Sequence, residues 1–346
     1  MFPASSIPSR LLLQPSRIAM AESQKRLAEA QVEAATGRHN DVGLRLGGRT
    51  GTDLSFRLQS AEIEQATSSM QQASLKAETA QTALFAMSTL ADRFRSTVGG
   101  ARNASNGRTL SAEFAASTLD SLHSVVSVTQ DGQYLFSGLA SEAPPLTEYS
   151  AGPRQALIDA FQSTFGFAPD DTAAAGLNSS QISDFIDGAF SSLFTGTGWS
   201  TTWSAASDET QKFRLPSGES VDLSATANSA FAQTLTKSLT IMELLGNSKI
   251  GAEALMAASD KAMSLASQAQ IQIVSEQARI GIEQVRLKDT QVVLDQRKLN
   301  LTKAVTALES VDPYEAAVRV NLLMTQLEGS YALTSRISRM SLLSYL

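Results

Sequence analysis

Residues 266–308 read ASQAQIQIVSEQARIGIEQVRLKDTQVVLDQRKLNLTKAVTAL. Ala266, Ile273, Ile280, Leu287, Leu294, Leu301 and Leu308 stand seven apart without a break. A second ladder, Ile271, Ala278, Val285, Val292 and Leu299, falls nearly opposite the first on a helical wheel. Between residues 252 and 310 there is no proline and one glycine, Gly281. The spacing predicts a single helix about 85 Å long, at 1.5 Å per residue. One apolar stripe can bury against the chain's own helices. The other calls for a different surface, such as another subunit.

The partner for the first stripe is legible in residues 63–98. Ile63, Met70, Ala77, Leu84, Ala91 and Val98 are seven apart, and Ala66, Ala73, Ala80, Met87 and Phe94 fill the interleaved positions. Five heptads with every a and d position apolar are the pattern of a coiled-coil seam. Antiparallel pairing of 53–98 with 252–310 is expected, which brings both chain ends to one end of the hairpin.

Outward from this pair, residues 16–37 read as a helix with Ser16 as N-cap and Gly37 as stop. Ile18, Ala21, Ala28, Val32 and Ala35 recur along it at heptad-like spacing, interrupted by Lys25. GLRLGGRTGTD, with four glycines between 43 and 51, reads as a loop or hinge that Asp53 could cap. Gly99-Gly100 is expected to end the 63–98 helix, and a further helix is expected at about 109–130. In DGQYLFSG at 131–138, Asp131-Gly132 signals a turn and Tyr134, Leu135 and Phe136 favour a strand. Asp312, Pro313 and Glu315 make a helix start with a capping box, and the helix that follows carries Val318, Leu322, Leu333, Ile337 and Met340 on one side.

Composition changes in 141–234, which holds five of the nine prolines and both tryptophans. This stretch reads as a small α+β insert. Ile182, Phe185, Ile186, Ala189, Phe190 and Leu193 form a short amphipathic helix, and FRLPSGESVDL reads as a hairpin turning at Pro216-Ser217-Gly218. Long helices resume at about 226. The fold class expected is mainly α: a long antiparallel coiled-coil-like rod built from both chain ends, with the insert in the middle. Three parts are expected: a terminal assembly region (1–45 with 311–346), a rod (46–140 with 235–310) and the outer insert (141–234).

The 346 residues are 42% hydrophobic but only 6% aromatic, with a net charge of −6. No basic cluster offers a face for phosphates, so nucleic-acid binding is not expected. The absence of cysteine removes disulfides, thiolate metal sites and cysteine nucleophiles. No apolar run approaches the ~18 residues of a membrane span. The start, MFPASSIPSRLLLQPSRIAMAESQ, is a poor secretory signal, because its apolar run is only Leu11 to Leu13. No nucleophile–base pair, cofactor fingerprint or metal-ligand spacing emerges. His39 and His123, the only histidines, lie far apart in sequence, and LRLGGRTG lacks the Lys-Ser/Thr ending of a phosphate loop. APDD at 168–171 reads as a capping turn. Trp199 and Trp203 could present a carbohydrate surface, but a local core for the insert is the better reading. No catalytic, cofactor or metal residue is assigned.

The sequence closes on SRMSLLSYL, which packs Met340, Leu342, Leu343, Tyr345 and Leu346 into seven residues. Burying these side chains would contribute at most about 8–15 kcal/mol, most of it beyond the reach of a single chain. They are therefore expected to form an assembly surface. With them the expected subunit interface takes in Leu11, Ile18 and Val32 near the start, and Leu322, Leu333 and Ile337 in the last helix.

Paired terminal helices, LAEAQVEAATGR near the start, DGQYLFSG at 131–138 and LEGSYALTSRISRMSLLSYL at 327–346 together resemble the flagellin superfamily. Within it they are similar to the hook–filament junction proteins, the FlgL-type hook-associated family. The resemblance covers about 1–140 and 235–346. The chain departs from the family at RHNDVGLRLGGRTGTD, where flagellins carry an acidic, proline-containing turn. The resemblance implies an extracellular structural protein of the bacterial flagellum, exported by the flagellar type III pathway without a cleaved signal. It also implies terminal helices that build the inner tube, self-association in the flagellar axis, neighbours that are a hook-associated protein and flagellin, and an export chaperone. A filament flagellin is the alternative within the family. An intracellular coiled-coil adaptor is the alternative outside it, though it leaves the apolar end unexplained.

Overall fold

The computed structural model describes the backbone of residues 9–343 and the side chains of residues 17–336. Eleven α-helices occur among them: α1 (Ser9–Thr36), α2 (Val42–Leu46), α3 (Thr50–Ala101), α4 (Gly107–Val126), α5 (Pro153–Phe165), α6 (Ser179–Asp187), α7 (Ala189–Ser192), α8 (Gly196–Thr202), α9 (Ala230–Gly246), α10 (Ala252–Glu309) and α11 (Pro313–Leu343). Two small hairpins, β1 (Thr129–Gln130) with β2 (Gln133–Tyr134) and β3 (Phe213–Arg214) with β4 (Ser220–Val221), are each antiparallel. The mainly α class with a small α+β region is as expected.

The chain forms two compact units: one from residues up to Gln65 with those from Leu294 onward, the other from Ala66 to Val293. In the second unit α3 and α10 run antiparallel. The Gln81 side-chain amide donates to the Gln277 carbonyl at 2.7 Å, Arg95 reaches the Ser267 hydroxyl at 3.3 Å, and Arg102 pairs with Asp260. The predicted seam is their contact. Met70, Ala77, Leu84, Ala91 and Val98 are buried on α3, and Ala266, Ile273, Ile280 and Leu287 on α10. The interleaved row is buried at Ala73, Ala80, Met87 and Phe94.

α9 is buried on most of its sides from Phe231 to Gly246, its buried residues including Ser238 and Glu243. It packs against α4, and the Ser238 hydroxyl donates to the Ala262 carbonyl of α10 at 2.8 Å. Gly246 makes the α4 approach possible: a Cβ there would lie 2.8 Å from the Ala112 Cβ.

Residues 141–234 belong to this same unit. Phe161, Phe185, Phe190, Phe194, Trp199 and Trp203 form a chain of ring contacts with centroids 5.0–6.4 Å apart. Both tryptophans are buried, and the Trp199 indole donates to Asn228 Oδ1 at 3.0 Å, so they are core and not a sugar platform. The cluster is fastened to the long helices by polar contacts. Tyr149 donates to the buried Glu243, Arg154 pairs with Glu243 at 3.4 Å, and the Arg279 guanidinium donates to the Asp222 carbonyl at 2.7 Å. Burial first, and the Glu243 carboxylate second, push the Tyr149 phenol far above its ordinary value.

Several local expectations change. α1 starts at Ser9, not at a Ser16 cap, and runs through Pro15. The Leu11–Leu13 run favours helix, and the loss of one backbone donor does not stop it. GLRLGGRTGTD is mostly helical: α2, one 3-10 turn at Gly47–Arg49, then α3 from Thr50. Asp41 does the capping, accepting the Leu44 N–H at 2.9 Å. Asp53 is a buried residue of the first turn of α3, bonded to Arg57 at 3.0 Å. Asp131-Gly132 turns as expected, with φ of 52° and 77°. The strand ends at Tyr134, however, and Phe136 is buried beyond it, its carbonyl taking the Ala227 N–H at 2.8 Å. The second hairpin turns as read: Gly218 N–H donates to the Leu215 carbonyl at 2.9 Å. Asp312 caps α11, accepting the Tyr314 N–H at 2.8 Å, but Glu315 bonds Arg319 and does not close a capping box.

Candidate assembly surface

In the first unit α1 and α11 pack antiparallel. The Gln24 amide donates to the Tyr331 hydroxyl at 2.6 Å, and Arg319 pairs with Glu33 at 3.1 Å. The shielded side of α1 carries Met20, Ser23, Leu27 and Ala30. The shielded side of α11 carries Ala316, Val320, Leu323, Leu327, Ser330 and Thr334, a strict four-three alternation. These are small or mid-sized side chains, and only Ala30 and Ala316 are fully buried. The apolar row read along α1 (Ile18, Ala21, Ala28, Val32, Ala35) is therefore not the intrachain seam; it faces out.

The expected interface residues that can be placed lie on this outward side. Ile18 is 63% exposed, Val32 46%, Leu322 58% and Leu333 63%. Val318 is exposed with them. The side chains of Leu11, Ile337, Met340, Leu342 and Leu343, and all of Tyr345 and Leu346, lie outside the described residues. On α10 the second ladder is exposed at Ile271, Ala278, Val285, Val292 and Leu299, while the first is buried through Leu301. An exposed Leu alone means little; here exposed apolar side chains recur in rows at helical spacing.

Sequence reading missed the polar joint in the same unit. The carboxylate of Glu309, at the end of α10, takes both Arg38, from the connection after α1, and Arg57 of α3. The backbone adds two bonds: His39 N–H to the Glu309 carbonyl at 3.0 Å and Val311 N–H to the Gly37 carbonyl at 2.9 Å. Glu33 faces His39 at 3.5 Å and accepts the Asn40 N–H at 3.2 Å. Nothing local marks these residues as partners. Among the described residues no cluster of His, Cys, Asp and Glu could hold a metal ion, and no helix is long and apolar enough to cross a membrane.

Residues 13–141 match the bacterial flagellin N-terminal helical region, and residues 263–346 match the bacterial flagellin C-terminal helical region. No curated protein matches the sequence. Two solved structures share the fold. A Vibrio parahaemolyticus protein described as a flagellar hook-associated protein is 13% identical, with a TM-score of 0.51 over 75% of this chain and 97% of that one. Bacillus cereus FlgL is 11% identical, with a TM-score of 0.50 over 72% of this chain and 98% of that one. The two matched regions together take in more than half of the chain, which belongs to the flagellin family of structural proteins of the bacterial flagellum.

Proposed function

We propose that this chain is a non-enzymatic joint of the flagellum, linking the hook-associated zone to the flagellin filament through its terminal helices. The observation that carries the reading is the outward apolar row on α1 and α11, exposed at Ile18, Val32, Leu322 and Leu333. A single chain gains nothing from these side chains in water; copies packed side by side do. Leu11, Ile337, Met340, Leu342, Leu343, Tyr345 and Leu346 extend that surface in the proposal. The three-part division serves it: 1–45 with 311–346 assembles, 46–140 with 235–310 is the rod, and 141–234 faces outward. Likeness in fold to a protein described as hook-associated and to FlgL favours a junction over the filament itself. Export without a cleaved signal, a chaperone for the apolar end, and neighbours that are a hook-associated protein and flagellin complete the reading. Immunogold microscopy tests it. Label at one point near the filament base is the expected result. Label along the whole filament favours the flagellin alternative, and label inside the cell rejects both.

A further inference from the structure

The second unit carries a cavity of about 210 Å³ between one face of α3, the segment after β2 and the β3–β4 hairpin. Ala73, Leu135, Phe213 and Leu223 are among its lining residues, together with Lys76, Lys212 and several neutral polar side chains. No carboxylate lines it, and neither lysine has an ion-pair partner among the described residues. The volume is below the ~300–1,000 Å³ of sites for drug-sized molecules, and suits one aromatic ring. In a chain of net charge −6, an apolar hole walled by two unpaired lysines asks for an apolar group beside negative charge.

Among the described residues, the segment around Tyr314 presents that chemistry. Tyr314, at the start of α11, is 80% exposed, more than any other aromatic among the described residues. Asp312 and Glu315 flank it, and both are exposed. The Glu315 carboxylate pairs with Arg319 in the free chain, but keeps a side-chain exposure of 65% and can be reached. We infer that the Asp312–Glu315 segment of one copy docks in the α3–hairpin cavity of a second copy, with Tyr314 in the hole and the two carboxylates against Lys76 and Lys212. The inference rests on the assembly reading above and adds to it a contact apart from the apolar rows.

The test is a titration of the full chain, kept below its assembly concentration, with a dye-labelled, end-blocked peptide of residues 311–318. Saturable binding that weakens with salt is expected. The double variant K76E/K212E should lose about tenfold or more in affinity, about 1.4 kcal/mol. A peptide with Asp312→Lys and Glu315→Lys should recover binding to that variant, and a Tyr314→Ala peptide should not bind the native chain. Absence of saturable binding, indifference to the charge reversal, or equal binding of a scrambled peptide overturns the inference. Sedimentation of the concentrated chain separates the two readings. A polymer that forms without peptide binding rejects this site alone, and peptide binding without a polymer rejects the joint role alone.

Discussion

Glu309 of α10 and Arg57 of α3, 252 residues apart, share an ion pair in which the Glu309 side chain is 2% exposed. The same carboxylate also holds Arg38, so one residue ties the connection after α1, the start of α3 and the end of α10 together. A buried carboxylate is costly unless its lone pairs are filled, and here two guanidinium groups fill them.

Replacing Glu309 with Ala should therefore loosen this unit. Both arginines are about half exposed and regain water, which discounts the loss to about 1–3 kcal/mol. Urea denaturation would register it, and the amides of His39 and Val311 should exchange faster. A midpoint and exchange rates like those of the native chain would show that the backbone bonds alone hold the joint.

Gly246→Val should destabilise the second unit by about 1–3 kcal/mol, because its side chain must displace Ala112 or part α4 from α9. Gly48→Ala is the control. An added Cβ there meets nothing within 4 Å, so its melting temperature should stay level or rise slightly.

The outward rows should matter to assembly and not to folding. Leu322→Asp with Leu333→Asp changes two exposed positions, so stability should move by no more than about 0.5 kcal/mol for each. Polymer formed by the concentrated protein should disappear from sedimentation profiles. Polymer in native amounts would remove these residues from the interface.

Removing residues 338–346 takes away Met340, Leu342, Leu343, Tyr345 and Leu346, and touches neither the α3 nor the α10 seam. Helical circular dichroism should persist. With about 8–15 kcal/mol at most at stake per copy, and 1.4 kcal/mol worth tenfold in association, stable incorporation should fail. Cells carrying only this variant should build hooks and shed flagellin into the medium, provided secretion of the variant is confirmed separately. Normal filaments on such cells would end the assembly role of this stretch.

Alkali should weaken the second unit through Tyr149. Its phenol is raised in the folded state by burial and by Glu243, against an ordinary value near 10. The stabilisation is complete below pH ~10, and it erodes as pH rises above 10, because only the unfolded chain gives up the proton. Tyr149→Phe should melt at a lower temperature than the native chain at pH 8, having lost the bond to Glu243. The difference should shrink at pH 11. Parallel melting curves at both values would remove the phenol from the alkaline response.

The long seam is legible in the sequence alone. Ile63 to Val98 and Ala266 to Leu301 repeat every seven residues, and periodicity is local information that burial in any antiparallel partner satisfies. The exposed second ladder from Ile271 to Leu299 was readable for the same reason: one helix cannot turn two opposite stripes toward one neighbour. The side of α1 that turns inward was not readable. Its outward row is the more apolar, and only the presence of α11 selects Met20, Ser23, Leu27 and Ala30 instead. The helical character of GLRLGGRTGTD was hidden by its glycines, whose preference for turns is a weak prior; the Asp41 cap starts the helix locally, and Leu46 and Asp53 are its buried residues. The Arg38–Glu309–Arg57 joint and the Lys76–Lys212 cavity belong wholly to the folded state. Each gathers residues from segments far apart in the chain, and charges so separated carry no sign of their partners until the apolar seams have brought the backbone back upon itself.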